Sequence, residues 1–217
     1  MPIKVGLQVI KIWNDSLESK VRYYESIPKP EGQIVFYGPS NFTRWDPMYG
    51  ETSMEEVLLG KSGAQCVVNR GFGSSCAEHQ LYYYPRMIRP LAPSVLVYDC
   101  TGNNTAFGYT VEETWELAQR VIAYAQADFP DIRIYLCSSH PSLNDTPESL
   151  QYKRTLDLLI QQYTETHDNC FYIDGIHYAP LSRKDIFIAD GVHYNHAGYR
   201  LYTKFFREKL AKELERF

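Results

Sequence analysis

The chain has 217 residues, 44% of them hydrophobic, and a formal net charge of −4 with no long lysine or arginine cluster. That length and apolar content suit a single domain over residues 1–217 with a substantial core. The acidic balance argues against a nucleic-acid backbone or an anionic membrane surface as the main partner and fits a small neutral ligand better.

The opening stretch "MPIKVGLQVIKIWND" is interrupted by Lys4 and Lys11 and lacks a small-residue cleavage pattern, so it does not read as a signal peptide. No apolar run reaches membrane-spanning length. Short apolar runs then recur at 34–37 ("IVFY"), 66–69 ("CVVN"), 95–98 ("VLVY"), 132–137 ("IRIYLC") and 170–174 ("CFYID"), with helical stretches between them. This alternation predicts a mainly parallel five-stranded sheet covered by helices on both faces. A helix is expected after Thr110, where Thr-Val-Glu-Glu is a capping box and Val111, Trp115, Ala118, Ile122 and Ala125 share one face. A second starts at Thr146-Pro147 and buries Tyr152, Leu156, Leu159 and Tyr163. The last starts near Asn195 and turns Tyr199, Tyr202, Phe206 and Leu210 inward.

Five cysteines, Cys66, Cys76, Cys100, Cys137 and Cys170, are odd in number and widely spaced. They read as reduced core thiols rather than disulfide or metal residues. His193 and His196 have no further ligands at metal-binding spacing. Asn-x-Thr sequons stand at Asn41, Asn103 and Asn144, and two of them fall where the site is placed below, which favours a cytoplasmic or bacterial protein.

Ligands of an open parallel sheet bind beyond the carboxyl ends of the strands. After the first strand comes "GPSN", after the second "NRGFGSS", after the third "DCTGNNT", and beyond the fifth "DGVHYNHAGY". Ser40 sits where the first strand turns into a helix, as a nucleophile there would; the plainer alternative is that it only caps that helix. Asp190 precedes His193 by three residues, a spacing that lets a carboxylate orient the imidazole from Nδ1 and leave Nε2 for a serine. "DGIHY" repeats the spacing with Asp174 and His177, but only His193 leads directly into a helix. Asn103 offers side-chain donors and the loop 71–75 offers backbone N–H groups. The tyrosines 82–84 serve either a sugar or the core and rim, and His79 and His140 take no role.

In the order of these blocks the chain resembles the SGNH, or GDSL-type, hydrolases over nearly its whole length. Gly38-x-Ser40 follows a strand; an Asn-x-Gly-Phe-Gly block lies at 69–73; a third block bears asparagine; and Asp-x-x-His leads into Asn-x-x-Gly-Tyr. Trp45, five residues after the serine, fits a subgroup with tryptophan at that spacing. The resemblance implies a three-layer α/β/α sandwich of flavodoxin-like type and ester hydrolysis by Ser40, His193 and Asp190, with no metal or organic cofactor. It maps the oxyanion donors to the backbone N–H groups of Ser40 and Ser74 and to the Asn103 side chain. Three departures stand out: Pro39 replaces the usual Asp or Ser, Ser74 replaces a glycine, and "TGNNTAFG" leaves Asn104 as the rival donor to Asn103. The expected substrate is a short-chain ester, acetyl on a carbohydrate first. The alternatives are a lysophospholipase or thioesterase, or a non-catalytic member that binds a carbohydrate or partner.

Overall fold

The computed structural model describes the main chain of residues 7–217 and the side chains of residues 16–217. Residues 1–6 of the stretch read as no signal peptide lie outside the described residues. In chain order the elements are α1 (Leu7–Glu25), β1 (Ile34–Gly38), α2 (Ser40–Thr43), α3 (Met54–Val57), β2 (Val67–Gly71), α4 (Ala77–Met87), β3 (Val95–Tyr98), α5 (Val111–Asp128), β4 (Arg133–Cys137), α6 (Pro147–Glu165), β5 (Cys170–Ile173), α7 (His196–Lys209) and α8 (Ala211–Leu214). Among them no helix is long and apolar enough to cross a membrane.

All five strands are parallel, in the order β2-β1-β3-β4-β5. The chain leaves β1 toward β2 on one side and returns to β3 on the other. The crevice between the ends of β1 and β3 is therefore the topological switch point where such sheets bind ligands. Successive strand residues point to opposite faces, and here both faces are covered. Val35, Tyr37, Leu96 and Tyr98 join a core with α1, α4, α5 and α6, whereas Ile34, Phe36, Val95 and Val97 join one with α2, α7 and α8. Two buried faces explain why the strands read as unbroken apolar runs.

The three expected helices form with the expected caps: Thr110 accepts from the Glu113 N–H, Thr146 from the Ser149 N–H, and Asn195 from the Gly198 N–H. In α6 Leu156 is buried while Tyr152, Leu159 and Tyr163 are partly buried against the core. Two of the longer helices, α1 and α4, gave no clear signal. Helix α4 carries Pro85 inside it and is capped by Cys76, whose backbone N–H donates to His79 Nδ1 at 3.1 Å. Helix α1 leans on α4 through Arg86, which pairs with Glu18 at 2.8 Å and Glu25 at 2.7 Å. Strand β2 runs on to Gly71 because Tyr37 and Gly38 of β1 pair with Arg70 and Gly71, and the buried Arg70 guanidinium stacks on the Tyr24 ring. All five cysteines are buried and free.

Candidate active site

The first site residue is set by the end of β1. Pro39 takes the N-cap of α2 with no side-chain cap, and its carbonyl accepts from the Phe42 and Thr43 N–H groups at 3.2 and 3.3 Å. Ser40 is thus the first residue of the helical turn and not its cap, so the plainer reading of Ser40 fails. Helix α2 lies hard on the sheet end: a Cβ at Gly71 would stand 2.4 Å from the Thr43 nitrogen. Asn69 Nδ2 donates to the Phe42 carbonyl at 2.8 Å and ties the turn to β2. Trp45 is 1% exposed and packs against Tyr199, Tyr202 and Phe206 of α7, which locks the segment after the serine to the helix after His193.

The turn 190–193 comes to meet it. Asp190 Oδ1 accepts from the Val192 and His193 backbone N–H groups at 2.9 and 3.0 Å, and its Oδ2 lies 2.6 Å from His193 Nδ1. Burial alone would raise the Asp190 carboxyl, but hydrogen bonds from the His193 backbone, the His193 ring and the Val192 backbone outweigh it and hold the group down at about 2. An ionised carboxylate only accepts, so Nδ1 carries the proton of this contact, and in the neutral ring that leaves a lone pair on Nε2. Nε2 is 2.7 Å from Ser40 Oγ, 153 residues away in the chain. The loop after β4 braces this turn: Asn144 Nδ2 donates to the Asp190 carbonyl at 2.6 Å, and the Leu143 N–H and Ser142 hydroxyl to the Gly191 carbonyl at 2.8 and 3.1 Å.

On the other side of the serine stand two non-glycine residues in the left-handed region, Ser74 (φ 65°) and Asn103 (φ 61°). Serine does therefore adopt the dihedrals that a glycine would have supplied there. The Ser40 and Ser74 backbone N–H groups donate to no described residue. Asn103 Nδ2 gives one hydrogen to the Ser75 carbonyl at 2.9 Å and has a second to offer. Its rival Asn104 is 1% exposed and turned away from the cleft: its Oδ1 accepts from the Ala77 N–H at 2.9 Å and its Nδ2 donates to the Cys100 carbonyl at 2.7 Å. Gly102 explains how the loop coexists with Pro39, since a Cβ there would meet the proline ring at 2.6 Å.

Ser40, Asn103 and Val192 separate two lobes of one cleft. One, about 230 Å³, is lined by Thr43, Arg44, Tyr49, Gly73, Ser74 and His193 as well. The other, about 250 Å³, continues past Thr101 and Gly102 to Ser139, His140 and the 141–145 loop. In that second lobe Lys153 Nζ pairs with Asp145 at 2.7 Å, and His140 Nε2 lies 2.7 Å from the buried Asp99 Oδ2. Sequence reasoning passed over Asp99, His140, Ser142 and Asn144. The signal for the last three was "SSHPSLND" at the end of the fourth strand, a strand end rich in polar residues like the other four, whereas Asp99 opens the "DCTGNNT" block after the third.

The repeated pair Asp174 and His177 also forms, with Nδ1 at 3.0 Å from Oδ1, but His177 is 80% exposed and no described residue hydrogen-bonds its Nε2. His196 pairs with Glu51 at 2.9 Å, and among the described residues no three or more His, Cys, Asp or Glu stand together to hold a metal ion. Tyr83 and Tyr84 are core residues and Tyr82 is exposed; none of the three lines either lobe.

The parallel sheet order, its flanking helices and the strand-end cleft define the SGNH hydrolase fold. The family model of the GDSL-like lipase/acylhydrolase family matches residues 36–201, and the chain belongs to that family of ester-acting hydrolases. Solved structures with the same fold include a GDSL-like lipase from Bacteroides thetaiotaomicron (17% identity, 91% of this chain and 98% of that one, TM-score 0.69). A variant of an acetyl-xylooligosaccharide esterase from Geobacillus Stearmophilus matches at 14% identity (83% and 95%, TM-score 0.66). A carbohydrate esterase of family 3 from Talaromyces cellulolyticus matches at 11% (87% and 100%, TM-score 0.64). No curated protein matches the sequence significantly.

Proposed function

We propose that the protein is a serine esterase that removes short acyl groups, acetyl first, from a carbohydrate or similar polyol. One observation carries this reading: His193 bridges Ser40 Oγ at 2.7 Å and an ionised Asp190 at 2.6 Å, at the mouth of a cleft.

Ser40 Oγ attacks the ester carbonyl carbon as its proton passes to His193 Nε2. Asp190 stabilises the imidazolium. The oxyanion receives hydrogen bonds from the Ser40 and Ser74 backbone N–H groups and from Asn103 Nδ2. Collapse breaks the bond to the alcohol, whose oxygen takes the proton from Nε2. Water then gives a proton to Nε2 and attacks the acyl carbon, and release of the acid returns the proton to Ser40. None of these steps requires a cofactor.

The choice of a small acyl group and a polyol rests on the linings. Small polar residues, Ser, Thr, Asn and Gly, dominate both lobes, and neither is a long apolar channel. Two of the structures compared above are named as carbohydrate-directed esterases. Hydrolysis of p-nitrophenyl acetate, butyrate and octanoate, followed by a panel of acetylated sugars, tests the proposal. Acetate turnover that disappears in Ser40→Ala supports it. Turnover indifferent to Ser40, or a preference for octanoate, contradicts the nucleophile or the short acyl group respectively.

A further inference from the structure

Although the chain is acidic overall, a cationic side chain with no acid paired to it lies beside the reacting serine. Arg44 follows Ser40 by one helical turn, its backbone N–H donating to the Ser40 carbonyl at 2.8 Å. Residues so spaced share a face, with Cβ atoms roughly 5–6 Å apart. The guanidinium lies over the half-exposed Tyr49 ring, 5.3 Å from its centroid, and makes no ion pair or side-chain hydrogen bond with any described residue. No acidic side chain lines this lobe, and Arg44 is its only permanently charged residue. The two nearest acids in the chain that follows are engaged elsewhere: Asp46 Oδ1 accepts from the Met48 N–H at 2.9 Å, and Glu51 is taken by His196 at 2.9 Å. The second lobe differs, because there Lys153 and Asp145 neutralise each other.

An arginine stacked on a ring keeps its five donors in a fixed plane suited to an oxyanion. His193 lines the same lobe, and His193 hands its proton to the leaving oxygen, so the alcohol part of the ester departs on this side. We infer that Arg44, steadied by Tyr49, selects an ester whose alcohol carries an anionic oxygen group, a carboxylate or phosphate, on the same ring or short chain as the esterified oxygen. This deepens the esterase reading above and rests on it. A substrate of that kind runs against the neutral ligand favoured by overall charge; the local field of the cleft, not the net charge, decides what sits beside Ser40.

The test is calorimetric titration of Ser40→Ala, which leaves the cleft but not the nucleophile. Methyl 4-O-acetylglucuronoside is offered as the free acid and as its carboxamide, and acetylglycerol phosphate is set against acetylglycerol; the two pairs separate an acidic sugar from a phosphorylated alcohol. The charged member of at least one pair should bind about tenfold tighter, the size of a charge-assisted hydrogen bond. The advantage should vanish in Ser40→Ala/Arg44→Gln, persist in part in Ser40→Ala/Arg44→Lys, and shrink as salt is raised. Equal affinity within both pairs, no binding of any of the four, or a preference untouched by Arg44→Gln overturns the inference. Failure of the esterase reading shows separately, as wild-type turnover of p-nitrophenyl acetate that is absent or indifferent to Ser40.

Discussion

Two stretches of this chain, Asp190 to His193 and Asp174 to His177, have the same spacing and make the same carboxylate-to-Nδ1 contact, at 2.6 and 3.0 Å. They differ in what lies beyond the ring. His193 is largely buried with the Ser40 hydroxyl at 2.7 Å, while His177 is 80% exposed over a surface hollow beside Arg154 and Gln161. A four-residue motif therefore builds an Asp–His pair by local chemistry alone. Only tertiary structure, here the loop 142–144 and the packing of Trp45 on α7, brings a hydroxyl to it.

The sharpest way to break that comparison is to remove each ring. His193→Ala should lower kcat for p-nitrophenyl acetate at least about 10⁴-fold, whereas His177→Ala should leave it within about twofold. Steady-state kinetics on both variants decides it; equal losses would dissolve the distinction. Asn103→Ala comes next, with an expected loss of about 10²–10³ in kcat and little change in KM, as for an oxyanion donor. Asn104→Ala should act elsewhere: it orphans the Ala77 N–H and the Cys100 carbonyl and should lower unfolding free energy by about 1–3 kcal/mol in urea titrations. Gly102→Ala forces a methyl group against the Pro39 ring. A displacement of about 1 Å at the nucleophile turn should reduce kcat about 10²-fold with the melting temperature changed far less.

The smallest effect concerns Asp157, which shares the hollow beside His177. Burial pushes its carboxyl up to about 6, against hydrogen bonds from the Ser139 N–H and hydroxyl that pull it down. A carboxyl whose folded pKa is raised binds its proton more tightly in the native state, so stability falls as pH rises from the unfolded value near 3.8 through about 6. Asp157→Asn keeps an acceptor for Ser139 and removes that loss. It should match or trail the wild type at pH 4 and exceed it by about 1–3 kcal/mol at pH 8. A wild-type advantage at pH 8 would mean that the buried carboxylate is stabilising.

Sequence carried the architecture because strands buried on both faces cannot hide their apolar runs, and because Thr110, Thr146 and Asn195 cap their helices by standard side-chain chemistry. Helix α4 was not legible: its cap is a cysteine and histidine pair and a proline stands within it. Ser40, His193 and Asp190 were legible as parts, each at a strand end or a tight turn. Their distances were not, since 153 residues separate serine from imidazole. Which of Asn103 and Asn104 turns into the α4 cap also needed the third dimension, because adjacent residues of one type look alike in sequence. Arg44 escaped notice for a related reason: a charge five residues into a turn looks like surface until the cleft around it is known.

The most direct measurement is covalent. Incubation with a small fluorophosphonate, followed by peptide mass mapping of the wild type, His193→Ala and His177→Ala, asks whether Ser40 is an activated nucleophile and which histidine activates it. The account predicts a single adduct on Ser40, lost in His193→Ala and retained in His177→Ala. An adduct on another residue, or labelling of Ser40 that survives without His193, would contradict it.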